Sequence, residues 1–170
     1  RFRNLHGYRG QMPCSTLADE ILEPGEGQIR ALIVSGGNPV VAFPDHELTI
    51  NALKDLDLLI VLDHRMTATA ELADYVFAPR LALERADVPH LMDRWFAAPY
   101  TNYTDAVVEA DSELIAEWEF FWEVASRMNT PISLPGGELA LDHKPTDDDV
   151  IDLVYSNSRM PIDQIRENRG

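Results

Sequence analysis

Residues 29–87 alternate between short apolar runs and amphipathic segments, and that alternation leaves few folds open. Ile29 to Ser35 (IRALIVS) is a continuous Ile/Val/Leu-rich run of strand length, the pattern of a parallel strand covered on both faces. Gly36-Gly37-Asn38-Pro39 must then turn sharply. Asp45 is placed to cap a helix that carries Leu48, Ala52, Leu53 and Leu56 at helical spacing. Leu58 to Leu62 is a second buried strand ending at Asp63, Thr67 caps a short helix, and Tyr75 to Ala78 is a third strand closed by Pro79. The order β-α-β-α-β, with helix-length connections, predicts an α/β fold. It is a Rossmann-like, open, mainly parallel sheet with helices on both faces, followed by a helical C-terminal extension.

The flanks predict a division into a lead-in segment and short helix (1–27), a nucleotide-binding α/β domain (28–130), and a linker with C-terminal helices (131–170). The short helix is expected over Ser15 to Leu22. Between Arg80 and Ala110, Trp95-Phe96-Ala97 and Ala106-Val107-Val108 suggest extended or β structure. Asp111-Ser112 opens an expected helix from Glu113 to Met128, with Trp118, Phe121 and Trp122 as a core stripe. Pro131 to Gly137 reads as linker. Thr146 followed by three aspartates marks a capped helix reaching about Ser156, and Pro161 fits the first turn of a last helix over Ile162 to Glu167.

Composition narrows the function. The formal net charge of −15 repels phosphate backbones and argues against nucleic acid as a partner. No run approaches the ~20 apolar residues of a membrane span. The opening residues lack the apolar core of a signal peptide, and the start without Met reads as an excised piece; the cytoplasm is the expected compartment, with that of the parent protein left open. Cys14 is the one cysteine, so no internal disulfide or CxxC pair is possible, and it is expected to be an inert small residue. The five histidines are scattered without metal-ligand spacing, so neither a metal site nor a catalytic residue is expected in this chain.

Binding chemistry concentrates at the predicted carboxyl ends of the strands. Glycines at 36 and 37 let the backbone approach a ligand and expose amides to phosphate, although a tight turn accounts for the same residues. Asp63 ends the second strand, where a carboxylate can accept two ribose hydroxyls; a local loop cap is the competing role. Thr67 can cap its helix or donate to the ligand. Glu84, Arg85 and Asp87 read as surface charges.

The combination of IRALIVSGGNP, ALKDLDLLIVLD, DHRMTATAELADYVFAPRLALERAD and DSELIAEWEFFWEVASRM resembles the molybdopterin-dependent oxidoreductases of the dimethyl sulfoxide reductase and formate dehydrogenase type. The likeness covers about 28–128. It implies a large parent enzyme with a bis-molybdopterin guanine dinucleotide cofactor, molybdenum or tungsten, and an iron–sulfur cluster outside this chain. It also implies that the chain is the second of two central α/β domains, each holding the guanosine end of one pterin dinucleotide. Carried over, Gly36, Gly37 and Asn38 would approach the nucleotide or its phosphates, Asp63 would bind the guanosine with help from Thr67, and Asp87 would make a further contact. The partners implied are the other domains of the parent polypeptide. Two other readings compete: a free-standing nucleotide-binding or regulatory α/β module, and a protein-interaction domain whose helix would expose Trp118 or Trp122.

Overall fold

A computed structural model of the chain describes residues 5–8, 10–89, 97–98 and 100–168. It divides into two compact units, 1–79 and 80–170.

In the first unit, a 3₁₀ turn at Cys14–Thr16 leads into α1 (Leu17–Leu22). Then come β1 (Ala31–Ser35), α2 (Pro39–Ala42), α3 (His46–Lys54), β2 (Leu58–Leu62), a 3₁₀ turn at Ala70–Leu72, and β3 (Tyr75–Phe77). The strands form a parallel sheet in the order β1-β2-β3, with Val34 opposite Val61 and Val61 opposite Val76. The fold is the expected α/β class with a parallel core sheet flanked by helices.

Side chains alternate across a strand, and Val34, Leu59 and Val61 point into a core shared with Ala18, Ile21, Ala52 and Leu53 from α1 and α3. The opposite face of β1 departs from the sequence expectation of cover on both sides: Ile33 is 43% exposed, and Tyr75 on β3 is 60% exposed. The cause is topological. Successive neighbouring strands joined by crossovers of one hand place their connections on one face. β1 also begins at Ala31 rather than Ile29, because the Ile29 amide donates to Glu20 O, which ties residue 29 to α1. Asp45 caps α3 as anticipated: it sits at φ 60° and its carboxylate accepts from the Leu48 amide.

The second unit contains a 3₁₀ turn at Ala82–Glu84, α4 (Glu117–Met128), β4 (Ile132–Leu134), β5 (Gly137–Leu139), α5 (Asp147–Tyr155) and α6 (Ile162–Glu167). Val88, Tyr103 and Ile165 form its buried cluster. The Arg166 guanidinium lies 5.3 Å over the Tyr103 ring. It bonds Asp148 and Asp152 at 2.9 and 2.7 Å. Burial works against the Arg166 charge, yet the hydrogen bonds to Asp152 and Asp148 outweigh it and raise its pKa.

Four sequence expectations change here. Helix α4 starts at Glu117, not Glu113. The Asp111 side chain accepts from the Glu113 amide in a local turn, and Ile115 O then accepts from Arg80 N, which holds the chain extended up to Ala116. The core stripe is displaced too. Trp122 and Phe120 are buried and Trp118 is half-buried, but Phe121 is 43% exposed, its ring set edge-on to Phe120 at 5.3 Å. Pro131 to Gly137 is not linker: it carries β4 and the start of β5, an antiparallel hairpin turning at Pro135-Gly136. Gly136 is required there, since a Cβ would stand 2.8 Å from Leu153 O. Residues 106–108 are not a strand, because the Val107 and Val108 amides both donate to Leu83 O. The Trp95-Phe96 expectation lies outside the described residues. The cap at Thr146 and the helix after Pro161 form as the sequence indicates.

Candidate functional site

The parallel register brings two of the predicted elements together. Ser35 pairs with Leu62, so the loop after β1 and the residue after β2 emerge side by side at the carboxyl end of the sheet. The Gly36 amide donates to Leu62 O at 2.9 Å and the Asp63 amide to Phe77 O at 3.1 Å, which extends the ladder by one residue at each strand. Gly36 sits at φ 60°, a left-handed conformation that favours glycine. Its amide is therefore used by the sheet. The φ of Gly37 is not positive, and a Cβ there would make only ordinary contacts, 3.6 Å to Val34 and 3.9 Å to Ser35 O. Glycine 37 leaves a bare patch of backbone.

Asn38 precedes α2, with Pro39 at the first helical position. Its carbonyl accepts from the Val41 and Ala42 amides, and its side-chain Oδ1 accepts from Thr69 Oγ1 at 2.8 Å. Gly37, Asn38 and Pro39, with Ile33 and Phe43, line a cleft of about 290 Å³. A larger apolar cavity of about 520 Å³ beside Met12, Cys14, Leu17 and Phe43 contains none of the candidate residues.

Asp63 Oδ1 accepts from the Arg65 amide at 3.1 Å and stands 3.7 Å from His64 Nδ1. Its side chain is only 10% exposed, and Oδ2 makes no bond among the described residues. Thr67 Oγ1 accepts from the Ala70 amide at 3.2 Å and so caps the 3₁₀ turn that follows. Asp87 belongs to the second unit, where Oδ1 accepts from the Val88 amide at 2.8 Å and Oδ2 pairs with Arg85 at 3.2 Å. Sequence reasoning missed Thr69. This residue is 0% exposed and stands in the quoted DHRMTATAELADYVFAPRLALERAD stretch, but its partner Asn38 is 31 residues away. Among the described residues, no group of three or more His, Cys, Asp or Glu is arranged to hold a metal, and no helix is long and apolar enough to cross a membrane.

The family described as "Molybdopterin oxidoreductase" matches residues 8–127. The chain belongs to the molybdopterin oxidoreductase family. Within it, the chain is 31% identical over 107 residues to an acetylene hydratase of Syntrophotalea acetylenica, covering 63% of this chain and 14% of that protein. It is 32% identical over 113 residues to the F420-dependent formate dehydrogenase 1 subunit alpha of Methanococcus maripaludis, covering 66% and 16%. The solved acetylene hydratase from Pelobacter acetylenicus superposes with a TM-score of 0.74 at 24% identity, over 94% of this chain and 20% of that one, a likeness of fold. The chain thus spans well under a quarter of the length of these relatives.

Proposed function

We propose that this chain is a cofactor-binding domain of a larger molybdopterin oxidoreductase, the second of its two central α/β domains, and that it holds the guanosine end of one molybdopterin guanine dinucleotide. The observation that carries the reading is the shared strand-end position of the Gly36-Gly37-Asn38 loop and Asp63. The donor and acceptor set suits the group. Gly37 offers bare backbone, Asn38 an amide, and Asp63 a carboxylate oxygen for ribose hydroxyls. Thr67 acts by shaping the loop below them. The Asp87 carboxylate is engaged by the Val88 amide and Arg85 within the second unit.

When bound, the cofactor with its molybdenum or tungsten would supply the chemistry, and an iron–sulfur cluster would sit elsewhere in the parent. The part played by this chain is to grip and orient. The relatives named above include a hydratase and a formate dehydrogenase, and a trimethylamine-N-oxide reductase of Haemophilus influenzae matches over a similar span. Such different reactions among proteins that share a likeness to this one piece support assigning substrate choice to other domains, which are the expected partners. The Trp122 indole is buried and the Trp118 indole is hydrogen-bonded, which weighs against an aromatic interaction surface.

Titration of the isotope-labelled 170-residue chain with a guanine nucleotide tests the proposal. Amide shifts should cluster at Gly37, Asn38 and Asp63, with a dissociation constant on the order of millimolar, since one domain supplies part of a shared site. Sub-micromolar affinity would instead support a free-standing nucleotide-binding module. Shifts confined to the second unit would overturn the assignment of the site.

A further inference from the structure

β1 is an edge strand, and its ladder to β2 uses every second residue. The Arg30 carbonyl accepts from the Leu58 amide and the Gly36 amide donates to Leu62 O. Between them, Leu32 and Val34 turn their backbone groups to β2, so Ala31 and Ile33 turn theirs to the free edge. Ile29 follows the same alternation: its amide turns away from β2 and donates to Glu20 O in α1. No such partner meets the amides and carbonyls of Ala31 and Ile33 among the described residues. Both residues are exposed. Natural sheets keep free edges short or guard them with charge or proline, whereas Ala31–Ser35 is five residues long and carries neither.

Two apolar clefts adjoin this edge. The smaller, of about 290 Å³, is lined by Leu32 and Val34 from one face of β1 and Ile33 from the other, and by no residue of β2, so it lies on the free side of the strand. The larger, of about 520 Å³, shares Leu17, Leu32 and Phe43 with it. Open backbone donors and acceptors beside apolar clefts are what strand addition requires: the main chain makes the bonds, and alternate side chains fill the clefts.

We infer that the free edge of β1 receives an extended, apolar segment of the parent polypeptide from outside residues 1–170, as a further strand of this sheet. The inference rests on the reading of the chain as part of a larger enzyme, not on the nucleotide site. The chain amounts to 14% and 16% of the two relatives quoted above, which leaves ample polypeptide to supply a strand. The sheet has three strands, where about four to six are usual. A second copy of the chain suits the edge less well. It brings a further formal charge of −15, and Leu32 and Val34 of its own β1 are committed to its core.

Hydrogen–deuterium exchange read residue by residue, on the 170-residue chain and on the full-length parent, tests this. In the chain alone, the Leu32 and Val34 amides should exchange slowly and those of Ala31 and Ile33 fast. In the parent, Ala31 and Ile33 should slow by about a hundredfold or more. A photo-cross-linking residue in place of Met12, which lines the larger cleft, should capture a segment of the same polypeptide outside 1–170. Ala31→Pro removes an edge-facing amide that the β2 ladder does not use. It should leave the melting temperature of the 170-residue chain nearly unchanged, and in the parent abolish both the cross-link and the protection of Ile33. Should that variant fail to fold, exchange and cross-linking in the unaltered sequence still decide. Unchanged exchange at Ala31 and Ile33 in the parent, a cross-link to a second copy or to residues within 1–170, or a cross-link that survives Ala31→Pro overturns the inference and leaves the cofactor-domain reading standing. A gene that encodes nothing beyond this chain removes both.

Discussion

The Trp118 indole Nε1 donates a 2.6 Å hydrogen bond to Asp147 Oδ1 across 29 residues of chain. Asp147 is the first residue of α5, so its charge also faces the free amides of that helix terminus, where a carboxylate is favoured. The bond fixes α4 against the start of α5. A double-mutant cycle of Trp118→Phe and Asp147→Ala should therefore give a coupling of about 1 kcal/mol in denaturant unfolding, the usual size for such a bond. A coupling indistinguishable from zero would mean that the pair is held by its neighbours and adds nothing.

Glu119 should be the most sensitive charge in the second unit. Its side chain is 7% exposed and meets Arg80 Nη2 at 3.2 Å, Lys144 Nζ, and the Ala116 amide at 3.2 Å. Removing it strands the guanidinium of Arg80, whose Nε already lacks a partner and whose remaining carboxylate, Asp147, is 3.7 Å away. Glu119→Ala should cost about 3 kcal/mol, as for one partner lost from a buried pair. Lys144→Ala removes a half-exposed ammonium and should cost less than about 1 kcal/mol. Equal losses measured by urea denaturation would contradict this ordering.

What the sequence made legible was whatever is local. Strand runs, the Asp45 and Thr146 caps and the glycine turn each depend on residues a few positions apart; the caps and the turn stand where the sequence put them, and the strands differ only at their ends. The strand-end placement of Gly36 and Asp63 was legible too, because strands joined by helix-length crossovers run parallel and end at the same edge. The Thr69–Asn38 bond was not, because a buried threonine pairing with a distant amide leaves no periodic trace. Helix α4 misled because Asp111 makes a local side-chain turn that imitates a helix cap, and only the pairing of Ile115 with Arg80 reveals the difference. The β4–β5 hairpin had a signal that went unused, Ile132-Ser-Leu-Pro-Gly-Gly-Glu-Leu139, alternation broken by a Pro-Gly turn.

Acid should loosen the start of α5 through Asp149. Hydrogen bonds from the Thr146 hydroxyl at 2.7 Å and the Thr146 amide at 2.8 Å favour the ionised form and hold the Asp149 carboxyl below the usual carboxylate range. A depressed value means that the stabilisation is complete above the unfolded carboxylate's pKa, near ~3.9. It is lost as pH falls through the lower folded value. Carboxyl NMR titration should place Asp149 below a free aspartate, and Thr146→Val should move it upward. An unchanged midpoint in that variant would show that the cap does not set the ionisation.

Asp63→Asn separates the binding role of Asp63 from its part in the loop. The Arg65 amide bonds Oδ1, and an asparagine offers the same acceptor, so the turn after β2 should survive with a stability change within about 0.5 kcal/mol. The unbonded Oδ2 becomes an NH₂, which donates where ribose hydroxyls need an acceptor. Guanosine binding by the chain should then weaken roughly tenfold, with circular dichroism and melting temperature nearly unchanged. If melting falls sharply instead, the carboxylate is holding the loop and its contribution is to the fold. If binding and melting are both unaffected, the ribose lies elsewhere, and the strand-end position of Asp63 reflects only the geometry of the sheet.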